Sequence, residues 1–291
     1  EFRRVLFRSE DVKFGFSIAS GAAWQALEDV LAHHDSLDLI GVHAHIGSQI
    51  FATDGFDTTA SRLIGFLAKV KKEKSLELHE LCIGGGYGVA YVESDQPLSP
   101  AEFLRSLAGV ISAECAKNSL HHPRISIEPG RAIIGPAMIT LYQVGTTKDV
   151  TLEDGGHRRY VSVDGGMSDN IRPSLYGAEY SIALSNRNST ANLVPSRVVG
   201  KHCETGDIVI NDVRLPSDIK PGDLLAVPVT GAYGRSMASN YNHVPRAAVV
   251  LVRDGAARTI LRRETEADLI ALDIEEEPRS MSDKLQSDKK V

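Results

Sequence analysis

Three features are scarce or missing in this 291-residue sequence, and each absence excludes a class of protein or site. Only three cysteines occur, widely spaced at Cys82, Cys115 and Cys203, so neither a C-x-x-C metal site nor a disulfide framework is expected. A basic excess is missing, because 32 Lys and Arg stand against 38 Asp and Glu, and a net charge of −6 argues against nucleic-acid binding. No apolar run approaches the roughly 20 residues of a membrane span. We therefore expect a globular protein of the reducing cytoplasm.

The first half of the sequence alternates between two periodicities. Short apolar stretches typical of buried strands lie at residues 37–45, 76–83 and 124–128. Amphipathic patterns typical of helices lie between them, at residues 21–33, 56–74 and 99–117. The last of these helices begins with a capping box, in which Ser99 is followed by Pro100 and Glu102. Alternating strands and helices predict parallel β/α units.

The pattern of predicted secondary structure changes near Pro136. Short β-rich runs separated by turn signals predict an antiparallel β domain over residues 137–275, and residues 1–136 are assigned to the β/α part. The tail at 276–291 is charged and aperiodic, which predicts disorder. Residues 1–10 lack an initiator Met and a signal-peptide core, so we expect them to be a truncation or cloning remnant unrelated to the fold.

Polar and glycine-rich clusters follow all three predicted strands of the first half. They are the segments 43–49 (HAHIGSQ), 84–88 (GGGYG) and 128–131 (EPGR). In β/α barrels the carboxyl ends of the strands form the active-site face. Glycines let backbone N–H groups approach an anion, usually phosphate, while His45 offers a flat ring and Glu128 a carboxylate. Together these groups suit a phosphorylated aromatic cofactor.

A divalent metal is the alternative reading of the first cluster. His43 and His45 are two residues apart on a strand, so both point to one face, as in barrel hydrolases that bind metal ions. Such sites need further His and carboxylate ligands at later strand ends. Those ends supply a glycine run and EPGR instead, which favours the cofactor and leaves no metal site assigned.

Motifs in the second half carry a resemblance to a known family. The segments 164–176 (DGGMSDNIRPSLY), 200–207 (GKHCETGD), 231–233 (GAY) and 237–242 (MASNYN) join the three earlier clusters in a fixed order. Together they resemble diaminopimelate decarboxylases, which are fold-type III enzymes dependent on pyridoxal 5'-phosphate (PLP). The resemblance runs from about Lys13 to about Asp273, and Glu204 after Cys203 favours this branch over ornithine decarboxylases, which usually have Asp there.

The resemblance implies an alanine-racemase-like fold, with part of a PLP-binding (β/α)8 barrel followed by an antiparallel β-barrel or sandwich domain. His45 would stack on the cofactor ring, and Glu128 would face the pyridine nitrogen and keep it protonated. The phosphate would be held by Ser48 and by backbone near the glycine run and EPGR. The implied cofactor-binding residues are His45, Ser48, Gly85, Gly86, Glu128, Pro129, Gly130, Arg131 and Tyr233.

The same resemblance implies decarboxylation of meso-2,6-diaminopimelate to L-lysine and CO2. Guanidinium groups suit a dicarboxylate substrate. The implied substrate-binding residues are Arg131, Arg172, Tyr176, Glu204 and Tyr233. Cys203 would be the catalytic acid that protonates the carbanion, and it would be donated with Glu204 by the second subunit of a homodimer. Tyr87 and Tyr91 are read as packing residues.

The sequence departs from the family pattern at one position of chemical importance. No Schiff-base lysine is found in this chain, because the segment that carries it in the family has no counterpart and Lys13 belongs to another motif. We therefore expect the chain alone to be inactive and its barrel strands to be the last few of the barrel. An ornithine- or carboxynorspermidine-type decarboxylase and a non-catalytic relative remain the alternatives.

Overall fold

A computed structural model describes residues 14–274, so the predictions for residues 1–10 and for the tail at 276–291 lie outside the described residues. Its first half alternates helices and strands as expected. The elements in order are α1 (Ala22–Ala32), β1 (Gly41–His43), α2 (Asp54–Lys74), β2 (Glu80–Cys82), α3 (Pro100–Lys117), β3 (Arg124–Ser126) and the short α4 (Gly130–Ile134). The strands form one parallel sheet in the order β1-β2-β3.

The parallel sheet is shorter than the apolar runs suggest, with three residues in each strand. The residues that follow each strand leave the ladder and form the polar loops. Helices α2 and α3 cover the sheet with an apolar core that contains Phe56, Leu81 and Ile111, all fully buried. The capping box is confirmed, since the Ser99 side chain accepts from the Glu102 N–H and the Glu102 carboxylate accepts from the Ser99 N–H.

The second half contains eight strands and three short α-helices within the described residues. These are β4 (Ile139–Thr151), β5 (His157–Val163), α5 (Arg172–Tyr176), β6 (Ala183–Leu184), β7 (Leu193–Val199), β8 (Ile208–Pro216), β9 (Leu224–Pro228), α6 (Gly234–Met237), β10 (Val249–Arg253), β11 (Ala256–Leu261) and α7 (Glu266–Leu269). Strands β4 to β9 form a six-stranded sheet in the order β6-β9-β4-β5-β7-β8.

The expectation of purely antiparallel pairing is wrong for one pair of strands. β5 and β7 run parallel, with Val161 opposite Val198, because the chain between them crosses back through α5 and β6 instead of making a hairpin. The other neighbours in this sheet are antiparallel, so the sheet is mixed. The β-rich character of this half is confirmed, whereas closure into a barrel or sandwich stays a prediction.

A second apolar core lies on the six-stranded sheet and is separate from the first. It includes Val161, Val198 and Leu225, none of which is exposed to solvent. Among the residues that the structure describes, strands β10 and β11 pair only with each other, and large apolar side chains on them are exposed. Residues 14–274 contain no helix with the length and hydrophobicity that crossing a bilayer requires.

Candidate active site

The carboxyl ends of β1, β2 and β3 meet at one edge of the parallel sheet, as the sequence predicts. His43 pairs with Cys82 across β1 and β2, and Cys82 pairs with Ser126 across β2 and β3. The polar loops therefore start side by side. The N–H of Glu128 donates to the carbonyl of Gly84 over 2.8 Å, which joins the EPGR segment to the glycine run.

The glycine run packs against the other two loops too closely for any side chain. A Cβ on Gly85 would lie 2.4 Å from the carbonyl oxygen of Glu128. A Cβ on Gly86 would lie 2.4 Å from the carbonyl oxygen of Gly47, and its φ of +103° also favours glycine. Gly85 and Gly86 are thus needed to bring the three backbones together at this edge.

The two histidines of segment 43–49 make different contacts. His45 Nδ1 accepts the N–H of Gly85 over 3.2 Å, which fixes the ring and leaves its remaining proton on Nε2 when the ring is neutral. His43 Nε2 lies 3.1 Å from Glu128 Oε2. A hydrogen bond between this pair had no signal in the sequence, because 85 positions separate the two residues.

The candidate metal-ligating residues that lie close together differ from those of the H-x-H hypothesis. Within residues 14–274, one ligand atom each from His43, Cys82 and Glu128 lies within 4.8 Å of the others. His45 is not a member of this group, and its Nδ1 accepts the N–H of Gly85. The group of candidate ligands therefore contains His43 but not His45, unlike the H-x-H hypothesis.

A cavity of about 610 Å³ opens beside the strand-end loops. Its lining includes five predicted site residues and Tyr91. The five are Ser48, Arg131, Arg172, Tyr176 and Tyr233. Pro129 and Gly130 precede Arg131 at the start of α4, while α5 carries Arg172 and Tyr176. The structure thus brings part of the predicted set, with residues from both halves, to one cavity, whereas the other predicted cofactor residues do not line it, namely His45, Gly85, Gly86, Glu128, Pro129 and Gly130.

Arg131 connects the two parts of this site. Its guanidinium donates through Nη2 to Ser48 Oγ over 3.1 Å and through Nη1 to the Tyr91 hydroxyl. Its Cζ lies 5.0 Å from the centre of the Tyr233 ring. Arg131 is 8% exposed, and its Nε is buried with no hydrogen-bond partner. An orphaned buried donor beside a cavity marks a place where a ligand atom would bind.

Both tyrosines pack in a core as predicted, Tyr87 against the first core and Tyr91, 5% exposed, within the second. Tyr87 stacks on Phe56 with ring centroids 5.0 Å apart, and burial raises the pKa of its hydroxyl to about 12. Tyr91 also lines the cavity, and its hydroxyl accepts a hydrogen bond from Arg131. A phenol in an apolar stretch carries no sequence signal for such a contact, since Arg131 lies 40 residues further along the chain.

Cys203 and Glu204 do not join the cavity of their own chain. Both are exposed, neither lines the cavity, and the carboxylate of Glu204 accepts a hydrogen bond from the Tyr241 hydroxyl. Their loop is tied down by the buried carboxylate of Asp207, which accepts the N–H of Met167 over 2.6 Å and that of His202 over 2.8 Å. These bonds hold Cys203 and Glu204 at the surface.

Comparison with known proteins agrees with this geometry. Residues 6–135 match the family model described as "Pyridoxal-dependent decarboxylase, pyridoxal binding domain". The diaminopimelate decarboxylase of Mycobacterium tuberculosis is 53% identical over 269 residues, which are 91% of this chain and 60% of the relative. The Bacillus subtilis enzyme of the same name is 45% identical over 265 residues, or 91% of this chain and 59% of the relative. Both relatives, each named diaminopimelate decarboxylase, are therefore similar to this chain over nine tenths of its length.

A solved structure supports the assignment at the level of the fold. The diaminopimelate decarboxylase of M. jannaschii in complex with L-lysine superimposes with a TM-score of 0.84 at 30% identity, covering 92% of this chain and 59% of that one. The chain therefore spans about 60% of the length of the relatives it matches. The residues that match the family model, 6–135, include the strand-end cluster.

Proposed function

We propose that the protein acts as a PLP-dependent decarboxylase that converts meso-2,6-diaminopimelate to L-lysine and CO2. The observation that carries the proposal is the joining of a glycine-lined strand-end cluster to a cavity with two buried arginines, Arg131 and Arg172. Residues up to 136 contribute to the cofactor barrel, and residues 137–275 form the β domain that completes the site. The similarity to named diaminopimelate decarboxylases supports the choice of substrate.

The residues present fit PLP in three respects. Ser48 lines the cavity and presents a hydroxyl beside Arg131, which suits a phosphate. The Arg131 Nε is a buried donor that lacks an acceptor. The His45 ring is fixed by Gly85 in a position that suits stacking on a flat heterocycle. Each feature has an explanation once a phosphorylated aromatic ring occupies the cavity.

When bound, PLP supplies an electron-withdrawing ring that accepts the electron pair released by the departing carboxylate. The chain's own groups keep that ring effective and in place. Glu128 holds a proton at the ring nitrogen, since a carboxylate there favours the protonated form. Ser48, Gly86, Pro129, Gly130 and Arg131 hold the phosphate, and His45 covers one face of the ring.

The substrate side of the cavity combines arginines and aromatic rings with the carboxylates of Asp95 and Glu179. Arg172 is 6% exposed, lies on α5 and faces the cavity together with Tyr176 and Tyr233, so it is suited to a carboxylate of the substrate. Arg131 contributes to both ligands, because it contacts Ser48 on one side and the Tyr233 ring on the other. With Arg131 also on the phosphate side, Arg172 is the guanidinium group assigned to the substrate alone.

Cys203 and Glu204 act in the active site of a second copy of the chain. Their exposure and their absence from the cavity lining of their own chain support this part of the proposal. In the homodimer, the Cys203 thiol delivers a proton to the substrate carbon that has lost CO2, and Glu204 receives the distal ammonium group. We place the protein in the cytoplasm, where its three free cysteines would stay reduced.

The activity is tested with a complemented enzyme, in which this chain is joined to the part of the M. tuberculosis relative that the match leaves uncovered. We expect equimolar L-lysine and CO2 from meso-diaminopimelate, measured by mass spectrometry and carbonate trapping. Turnover of ornithine or carboxynorspermidine without turnover of diaminopimelate would contradict the substrate.

The role of Cys203 is tested in the same enzyme. Cys203→Ser should lower kcat by about 100-fold or more while PLP binding is retained, because general acids contribute on that order. Cys115→Ala is the matched control, since Cys115 is buried between helix and sheet far from the proposed chemistry. Equal kcat values for the two variants would rule out Cys203 as the acid.

We further propose that the 291-residue chain by itself binds PLP but does not turn over substrate, because none of its lysines matches the Schiff-base position. Borohydride reduction of the chain with PLP, followed by peptide mass mapping, checks this. Stoichiometric labelling of a single lysine in this chain, accompanied by turnover, would contradict it.

A further inference from the structure

Two buried arginines face the cavity with neutral partners. Arg131 and Arg172 are 8% and 6% exposed, and within residues 14–274 neither forms an ion pair with a carboxylate. Each instead donates from Nη1 to a phenol, Arg131 to Tyr91 and Arg172 to Tyr180. Burying a guanidinium without a counter-charge is costly, so such groups are normally paired with carboxylates. Both charges are therefore left for a ligand to neutralise.

The two phenols form one unit between the guanidinium groups. The rings of Tyr91 and Tyr180 pack edge to face, with centroids 4.9 Å apart and an interplanar angle of 82°. The Tyr91 ring centre lies 5.7 Å from Arg131 Cζ and 5.0 Å from Arg172 Cζ. An aromatic face attracts a cation without carrying net charge. Tyr91 thus contacts both arginines and keeps them on one wall of the cavity.

The phenol at Arg172 stays protonated in this setting. Burial raises the pKa of Tyr180, so its hydroxyl is neutral at physiological pH. A phenolate or a carboxylate at this position would cancel the charge of Arg172, whereas a neutral hydroxyl accepts one N–H and leaves the positive charge in place. The pair therefore orients the guanidinium groups without reducing their attraction for an anion.

We propose that Tyr91 and Tyr180 are positioning residues that hold Arg131 and Arg172 against the cavity unneutralised, and that they thereby select ligands with anionic groups. This inference rests on the proposed function. Because Arg131 also contacts Ser48, Tyr91 acts on the phosphate of PLP. Because Arg172 lies on α5 among the substrate-side residues, Tyr180 acts on a carboxylate of the amino-acid substrate.

The first test compares PLP with pyridoxal, which lacks the phosphate, as ligands of the whole 291-residue chain. Equilibrium dialysis gives both dissociation constants for the unaltered chain and for Tyr91→Phe. Loss of one hydrogen bond to a charged group predicts about tenfold weaker binding of PLP. Pyridoxal binding should be unchanged, so the ratio of the two constants should fall about tenfold.

The second test uses the complemented enzyme and Tyr180→Phe. We expect KM for meso-diaminopimelate to rise about fivefold to tenfold, with kcat within about twofold, because the lost bond orients a group that binds substrate without reacting. The PLP-to-pyridoxal ratio should stay as in the unaltered chain. Tyr160→Phe is the matched control for both tests. The Tyr160 ring centre lies 5.9 Å from Arg197 Cζ on the six-stranded sheet, and Tyr160 does not line the cavity.

The outcomes separate this inference from the function on which it rests. If the unaltered chain binds PLP no more tightly than pyridoxal, the proposed cofactor site is wrong and the inference falls with it. If the unaltered chain prefers PLP but Tyr91→Phe weakens both ligands equally, the tyrosine only supports packing and the inference alone is overturned. A Tyr180→Phe enzyme with unchanged KM overturns the substrate half.

Discussion

The two sheets of this molecule differ in how far their paired charged side chains are exposed to solvent. In the six-stranded sheet the core residues Val161, Val198 and Leu225 are fully buried, and the buried carboxylate of Asp223 is paired with Arg187 at 2.7 Å. At the end of the three-stranded sheet, the side chains of His43 and Glu128 are 52% and 56% exposed. The ion pair on the six-stranded sheet includes a buried carboxylate, whereas the pair at the end of the three-stranded sheet is exposed.

The difference separates structural charge from functional charge. Arg187 is bonded to Asp218 and Asp223, so its charge is used within the fold. Arg131 and Arg172 are more buried than Arg187 yet have only neutral partners among the described residues. A buried cation without an anion therefore identifies the site more specifically than burial or polarity alone.

The largest expected effect comes from breaking the tightly packed loop of the β-rich half. A Cβ on Gly200 would lie 2.1 Å from the Asp207 carboxylate, so Gly200→Ala should lower the free energy of unfolding by about 3 kcal/mol. Gly206→Ala in the same loop is the control, because a Cβ there meets nothing within 4 Å. Urea unfolding measures both, and equal stabilities would contradict the packing described for this loop.

A somewhat smaller effect should follow from unpairing Arg187. Asp223→Asn removes the carboxylate from a mostly buried ion pair and should cost about 2 kcal/mol at pH 7. Hydrogen bonds from Arg187 hold the pKa of Asp223 well below its usual range. A depressed pKa means that this stabilisation is present above about pH 4 and is lost as the pH falls through the lower, folded-state value.

The pH dependence therefore distinguishes this pair from ordinary surface charges. The difference in stability between the unaltered chain and Asp223→Asn should shrink between about pH 4 and pH 2, measured by urea unfolding at each pH. Asp212→Asn is the control, since Asp212 is 65% exposed and lies 3.4 Å from Arg158. A difference that stays constant across the acid range would show that the ion pair does not stabilise the fold.

The smallest effect concerns the exposed end of the parallel sheet. Among the described residues, His43 is the hydrogen-bond partner of the Glu128 carboxylate. Removing it by His43→Leu should weaken PLP binding by about fivefold, corresponding to one net hydrogen bond, whereas His43→Gln keeps a donor and should bind within about twofold of the unaltered chain. His79→Gln, at the other end of the same sheet, should have no effect. Equal affinities of the Leu and Gln variants would exclude this role.

The sequence predicts the parts of the fold that depend on local pattern. The order of helices and strands in the first half follows from apolar periodicity, and the start of α3 follows from Ser99, Pro100 and Glu102. The strands are shorter than predicted because loop residues after His43, Cys82 and Ser126 turn away from the ladder. Apolar character continues past the last ladder bond, so the pattern alone does not mark the end.

The parts that depend on distant pairing could not be predicted. The parallel pairing of β5 with β7 joins residues across α5 and β6, and no local signal distinguishes it from a hairpin. The contact of Tyr91 with Arg131 and that of His43 with Glu128 likewise join separate loops. The strand-end clusters were found because glycine runs and EPGR are local, whereas the partners that orient them are not.

Hydrogen exchange of the whole 291-residue chain, with and without PLP, tests most directly whether the cofactor binds at the carboxyl ends of the parallel strands. The account predicts slower exchange of backbone amides in segments 43–49, 84–88 and 128–131 when PLP is added, while amides of Val161 and Val198 in the six-stranded sheet are unchanged. Pyridoxal without phosphate should give weaker protection of the glycine run. Protection confined to the six-stranded sheet, or none at saturating PLP, would contradict the account.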